Sequence, residues 1–194
     1  MIFFGLGNPG REYARTRHNF GFLVLDALAR DFGVRFRKHR VWHDANIAVS
    51  GTACSLVKPT CFMNLSGEVV RDYLALHPGE FLVVCDDLAL PFGRLRIRTR
   101  GSDGGHNGLA NVIYHLGSGN FPRLRMGIGA VPEGMDGADY VLSEFIEEER
   151  RLLPDVVEAG RDALVMVAEQ GITAAMNHFN GRESVPADAA KSST

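Results

Sequence analysis

Cysteine is scarce in this 194-residue chain, and the three present, Cys54, Cys61 and Cys85, include no C-x-x-C pair. An odd, unpatterned set argues against a disulfide framework and against a thiolate zinc site. Long apolar runs are missing too, since no stretch approaches the ~18 residues that a membrane span requires. Residues 1–5, Met-Ile-Phe-Phe-Gly, have no basic n-region and no long apolar core. A signal peptide is therefore not expected, and a cytoplasmic location is. Nor is there an excess of either charge: 21 Lys/Arg face 23 Asp/Glu, a formal net charge of -2. The balance hides an asymmetry, because residues 1–125 hold 16 basic and 10 acidic side chains whereas residues 126–194 hold 5 and 13. A basic surface and an acidic one are expected. Steering depends on the local field, so the basic one permits a polyanionic partner.

The length suits one domain with a single substantial core. An apolar start at residues 2–4 runs into Gly5-Leu6-Gly7-Asn8-Pro9-Gly10, a strand followed by a glycine-rich turn. From Phe20 the residues Leu23, Val24, Ala27, Leu28 and Phe32 fall at helical spacing, with Gly33 placed as a cap. Short strands are predicted at 46–49 and 55–57, and a helix at 66–76 ahead of Pro78-Gly79. The run 81–85 is apolar throughout, as in a parallel strand buried on both faces, and ends at Asp86-Asp87. Arg94, Arg96, Arg98 and Arg100 alternate with other residues, so a strand there would show four guanidinium groups on one face. A helix through Leu109, Val112, Ile113 and Leu116, a strand at 124–128 and a long helical region at 147–170 complete the pattern. The expected fold is α/β: a single domain over residues 1–182 with a twisted mixed sheet flanked by helices. The tail 183–194, rich in Ala, Ser and Asp, is expected to be disordered.

Gly5-x-Gly7-x-x-Gly10 has the form of a dinucleotide fingerprint, but Pro9 occupies the helix opening and Asp26, the acid about twenty residues on, lies inside a helix rather than at a strand end. A turn that needs glycine explains it better. Asp86 at a strand's carboxyl end stands where open α/β sheets place ligands. His18 lies in the polar cluster Thr16-Arg17-His18-Asn19 before a helix. Hydrolysis near neutral pH needs such a base, and a carboxylate such as Asp86 would fix its tautomer and support its cation. Asn8, Asn64 and Asn107 each sit in turn-like sequence, and together could supply uncharged donors and acceptors. There is no Gly-x-Ser-x-Gly elbow, and the cysteines sit in apolar contexts, so water is the better nucleophile. His39 and His43 lack a third ligand, and no metal is expected. The arginines from Arg94 to Arg100, with Arg123 and Arg125, and the group Arg35, Arg37, Lys38 and Arg40 would suit phosphates.

These blocks together resemble the bacterial peptidyl-tRNA hydrolase family. The resemblance rests on Gly5-Leu6-Gly7-Asn8-Pro9-Gly10, Tyr13, Thr16-Arg17-His18-Asn19-x-Gly21, and Lys58-Pro59-Thr60-x-Phe62-Met63-Asn64-Leu65-Ser66-Gly67. It continues through Asp86-Asp87-Leu88, Leu90-Pro91, Gly104-Gly105-His106-Asn107-Gly108 and Arg123-Leu124-Arg125-x-Gly127-Ile128-Gly129. It implies a monomer without cofactor or metal that hydrolyses the ester between a peptide and the 3′-terminal ribose of tRNA. By position, His18 would activate water and Asp86 orient it. Asn8, Tyr13, Phe62, Met63, Asn64 and Asn107 would contact peptide and terminal nucleotide, and Arg96, Arg98 and Arg125 the phosphates of the acceptor arm. Cys85 stands where many members have histidine, Ala89 where an acid is common, and the 130–139 loop is acidic where a lysine often meets phosphate. The alternative is an RNA-binding, splicing-type protein of the same fold without hydrolysis. The trio His18, Asp86 and Asn107 favours the enzyme.

Overall fold

In the computed structural model, residues 1–181 are described; the tail expected to be disordered lies outside them. The strands are β1 (Ile2–Gly5), β2 (Arg37–Lys38), β3 (Trp42–Val49), β4 (Thr52–Pro59), β5 (Phe81–Asp87), β6 (Leu95–Arg98) and β7 (Arg123–Gly127). They form one mixed sheet in the order β2-β3-β4-β1-β5-β7-β6. The four central strands β4, β1, β5 and β7 run parallel, and antiparallel pairs finish both edges. The helices are α1 (Phe20–Asp31), α2 (Ser66–Leu76), α3 (Asn107–Leu116), α4 (Gly137–Leu142), α5 (Glu147–Gln170) and α6 (Ile172–Phe179).

Burial on both faces explains the unbroken apolar run of β5. Leu82 and Val84 join Val24, Leu28 and Leu164 in the core under α1 and α5, whereas Val83 and Cys85 join Val70, Leu109 and Val112 under α2 and α3. Helix α1 can cross β1 closely because two glycines meet there: a Cβ on Gly5 would collide with the Gly21 carbonyl oxygen. A Cβ on Gly7 would stand 2.7 Å from the Phe22 ring. Two of the three fingerprint glycines therefore make room for a helix, and Asp26 is an exposed residue of α1.

Some elements depart from the sequence reading. The strands expected at 46–49 and 55–57 are the inner parts of a hairpin of two eight-residue strands, β3 and β4. Its turn, Ser50-Gly51, has both residues at positive φ (47° and 86°), as a type I′ hairpin requires. Of the four alternating arginines only Arg96 and Arg98 lie within a strand, opposite the buried Leu95 and Ile97. Strand β5 runs on through Asp86 and Asp87 instead of ending before them. Helices α4 and α6 were not expected. Residue Asn180, after α6, pairs with the open edge of β6: its side chain accepts from Ile97 N at 2.7 Å and donates to Ile97 O at 3.0 Å.

Candidate active site

Asp86 is a buried carboxylate at the carboxyl end of a central parallel strand, where burial alone would raise its affinity for a proton. Two imidazoles answer that cost. His18 Nδ1 lies 3.0 Å from Asp86 Oδ1 and 3.1 Å from Oδ2, and His106 Nε2 lies 3.0 Å from Oδ1. Desolvation pushes the Asp86 carboxyl up, but the electrostatic attraction and hydrogen bonds of the His106 and then the His18 ring outweigh it and hold the group well below the usual carboxylate range. Asp86 therefore stays ionised.

The hydrogen bonds also assign the protons. His106 is the N-cap of α3, and its Nδ1 accepts from Leu109 N at 3.1 Å. Its proton must then sit on Nε2 and point at Asp86. His18 turns Nδ1 to the same carboxylate, so its proton sits there and Nε2 keeps a free lone pair. An anchored imidazole with an open basic nitrogen can take a proton from water. The ligand atoms of His18, Asp86 and His106 lie within 4.8 Å of one another, the separation of a metal site. Their nitrogens and oxygen are engaged with each other at hydrogen-bond length.

The loop bearing His18 is tied down on two sides. Asn19 joins it to the glycine-rich turn, accepting from Asn8 N at 2.8 Å and donating to Asn8 O at 3.0 Å. Arg17, buried between the Tyr140 and Phe145 rings, makes a bidentate pair with Glu149 of α5 at 2.8 and 2.5 Å. Asn8 spends its side-chain oxygen on Met63 N at 2.8 Å. That bond sets the position of the Met63–Leu65 turn, which presents Asn64 outward. Gly108 makes room for Met63, since a Cβ there would collide with its sulfur.

His18, Asp86, Asn107 and Arg125 line one cavity of about 220 Å³, together with His106 and Asp87. Phe62 is exposed beside Met63, Asn64 is exposed, and Tyr13 is half-buried in a 3-10 turn whose carbonyl accepts from Thr16. Arg96 is the cross-strand partner of Arg125, and Arg98 of Arg123, so these four share one face of the β6–β7 ribbon. They differ in availability. Arg125 is held by Asp87 at 3.0 Å and by Ser102 O at 2.6 Å. Arg123, expected among the phosphate contacts, is 0% exposed, and its guanidinium is spent on the carbonyls of Gly101, Ser102, Gly119 and Phe121. It staples the loop that leads to His106 and cannot face a phosphate. Arg98 is exposed and Arg96 half-buried.

Cys85, next to the site in sequence, points into the α2–α3 core, and burial followed by the Asp86 charge pushes its thiol up to about 12. It stays a protonated core residue. His106 was missed because its sequence setting, Gly-Gly-His-Asn ahead of a helix, reads as a capping turn. The cap is real, and the second ring nitrogen is what reaches the carboxylate. A larger cavity, about 700 Å³, opens at the opposite end of the sheet among Met1, Phe81, Phe121 and Ile172, with Glu80 as its one ionisable side chain.

The profile of one protein family, described as peptidyl-tRNA hydrolase, matches residues 2–187. The chain is 49% identical over 181 residues to the peptidyl-tRNA hydrolase of Chloroflexus aggregans, covering 91% of this chain and 96% of the relative. It is 46% identical over 187 residues to that of Cytophaga hutchinsonii, covering 94% and 98%. The crystal structure of peptidyl-tRNA hydrolase from Acinetobacter baumannii superposes with a TM-score of 0.88 at 30% identity, over 95% of this chain and 96% of that one.

Proposed function

The chain belongs to the peptidyl-tRNA hydrolase family, and we propose that it cleaves the ester of peptidyl-tRNA with His18 as the base that activates water. The observation that carries this reading is the free Nε2 of His18, left open because Asp86 holds Nδ1. His18 Nε2 takes a proton from water as the water oxygen attacks the ester carbonyl. Asp86 stabilises the imidazolium, and His106 keeps Asp86 ionised and aimed. The tetrahedral intermediate collapses by breaking the bond to the ribose oxygen, which recovers the proton from His18. Free tRNA and a peptide carboxylate leave, and the scheme uses no cofactor.

Asn107, which lines the cavity, would donate to the developing oxyanion. Asn8, Met63 and Asn64, tied together by the bond from Met63 N to Asn8 Oδ1, would contact the peptide and terminal nucleotide, as would Tyr13 near the glycine-rich turn. Phe62, 58% exposed, offers a face on which the terminal base can stack. Arg96 and Arg98, with Arg125 behind them, would meet acceptor-arm phosphates. We take the working form to be a monomer acting in the cytoplasm; among the described residues no helix is long and apolar enough to cross a membrane. Incubation with an N-acetyl-aminoacyl-tRNA tests the reading. Free tRNA and N-acetyl amino acid in equal amounts are expected, whereas tRNA that stays bound and acylated would turn the reading to RNA binding alone.

A further inference from the structure

A second cavity, about 340 Å³, is lined by Asn8, Asn19, Phe22, Asp26, His43 and Lys58 and not by His18. Its cation is Lys58. The sheet register sets Lys38 beside His43 and His43 beside Lys58, which makes one cross-strand row. Lys58 is a buried lysine, with its ammonium 4.1 Å from the Phe36 ring centroid and 5.2 Å from that of Phe22. Among the described residues its carboxylate partner is Asp26, at 2.5 Å. The two partners differ in freedom: the Lys58 side chain is 11% exposed and that of Asp26 51%. Asp26 can thus swing into water while Lys58 stays. Burial, followed by the charges of Lys58 and Lys38, holds the His43 imidazole below its ordinary value.

The place of this cavity in the sheet indicates what reaches it. On the hydrolase reading the ester lies by His18, which meets Asp86 at the carboxyl end of β5. Arg96 and Arg98 lie on β6, beyond β5 and β7, whereas the cavity lies the other way, at the ends of β4 and β3. A substrate whose tRNA runs toward β6 sends its peptide toward Lys58. We propose that this cavity is a peptide subsite in which Lys58 receives an acidic side chain of the residue preceding the esterified one, in exchange for Asp26. The proposal rests on the hydrolase reading and on a tRNA that lies along Arg96 and Arg98.

Paired N-acetyl-dipeptidyl-tRNAs that differ only by glutamate or glutamine at the residue preceding the esterified one test it. The glutamate substrate should show a kcat/KM about three- to fivefold higher at low salt, the worth of a partly exposed charge pair, and the ratio should shrink at high salt. Lys58→Met should bring the ratio to one, Lys58→Arg should keep it, and Asp26→Asn should raise it by removing the competitor. Cleavage of the glutamine substrate reports that each variant is folded. A ratio of one in both the wild type and Asp26→Asn would overturn the proposal, as would equal slowing of both substrates by Lys58→Met, the mark of a contact to RNA. Failure to cleave either substrate would instead sink the hydrolase reading, and this proposal with it.

Discussion

His106 and His18 share one oxygen: each sets a ring nitrogen 3.0 Å from Asp86 Oδ1, with ring centroids 4.7 Å apart. The carboxylate is thus held from two sides by groups carried on different helices and loops. Only one of the two rings, His18, keeps a free basic nitrogen. His106 is consumed at both nitrogens, by Leu109 N and by Asp86.

That difference gives the first prediction. His106→Asn retains a side chain able to cap α3 but removes the bond to Asp86. Turnover should fall roughly 10- to 100-fold, matching the ~1.5–3 kcal/mol of a hydrogen bond to a charged group, with little change in KM. Wild-type turnover in steady-state kinetics would mean that the shared oxygen does not serve the reaction.

Arg17 and Glu149 anchor the segment that carries His18, and the Arg17 side chain is only 3% exposed. Glu149→Ala leaves that guanidinium buried without its carboxylate, which should cost about 3 kcal/mol. Urea unfolding reads the change directly. An unchanged midpoint would show that the bonds Arg17 donates to Ser143 Oγ at 3.3 Å and to the Ile128 carbonyl at 3.4 Å suffice to hold it.

Much of this arrangement was legible in the sequence. The apolar run ahead of Asp86 identified a central strand, and the polar cluster around His18 identified a loop before a helix, because both signals are local. What escaped was decided by tertiary contact. Arg123 and Arg98 look alike in an alternating basic stretch, yet one is closed in by four carbonyls and the other meets water. Asn8 reads as a turn residue, and nothing local shows that its oxygen crosses to Met63 N. The Ser50-Gly51 turn, by contrast, carries a local signal, a Ser-Gly pair between two runs of strand-forming residues. Helix α4 could also have been found, since Asp136 caps it by accepting from Ala138 N at 2.8 Å.

Arg96 and Arg98 give a prediction separable from chemistry. Alanine at either position should raise KM for the tRNA substrate while kcat holds, and removing one arginine–phosphate pair should lower the slope of log affinity against log salt by about 0.9. Equal slopes in wild type and variants, measured by filter binding, would remove these residues from the interface.

Cys85 yields a negative prediction with a clear readout. A thiol pushed up to about 12 and buried in the core should resist iodoacetamide in the native protein at pH 8 and react on unfolding. Peptide mapping that finds Cys85 alkylated in the native state, with loss of activity, would reopen a thiolate route beside Asp86.

The most direct test of His18 as the water-activating base is release of free tRNA from N-acetyl-aminoacyl-tRNA, with a chelator present, by the wild-type chain and by His18→Ala. The chelator should leave wild-type release unchanged, and His18→Ala should still bind the substrate but turn it over several orders of magnitude more slowly. Release by His18→Ala at the wild-type rate would contradict that role.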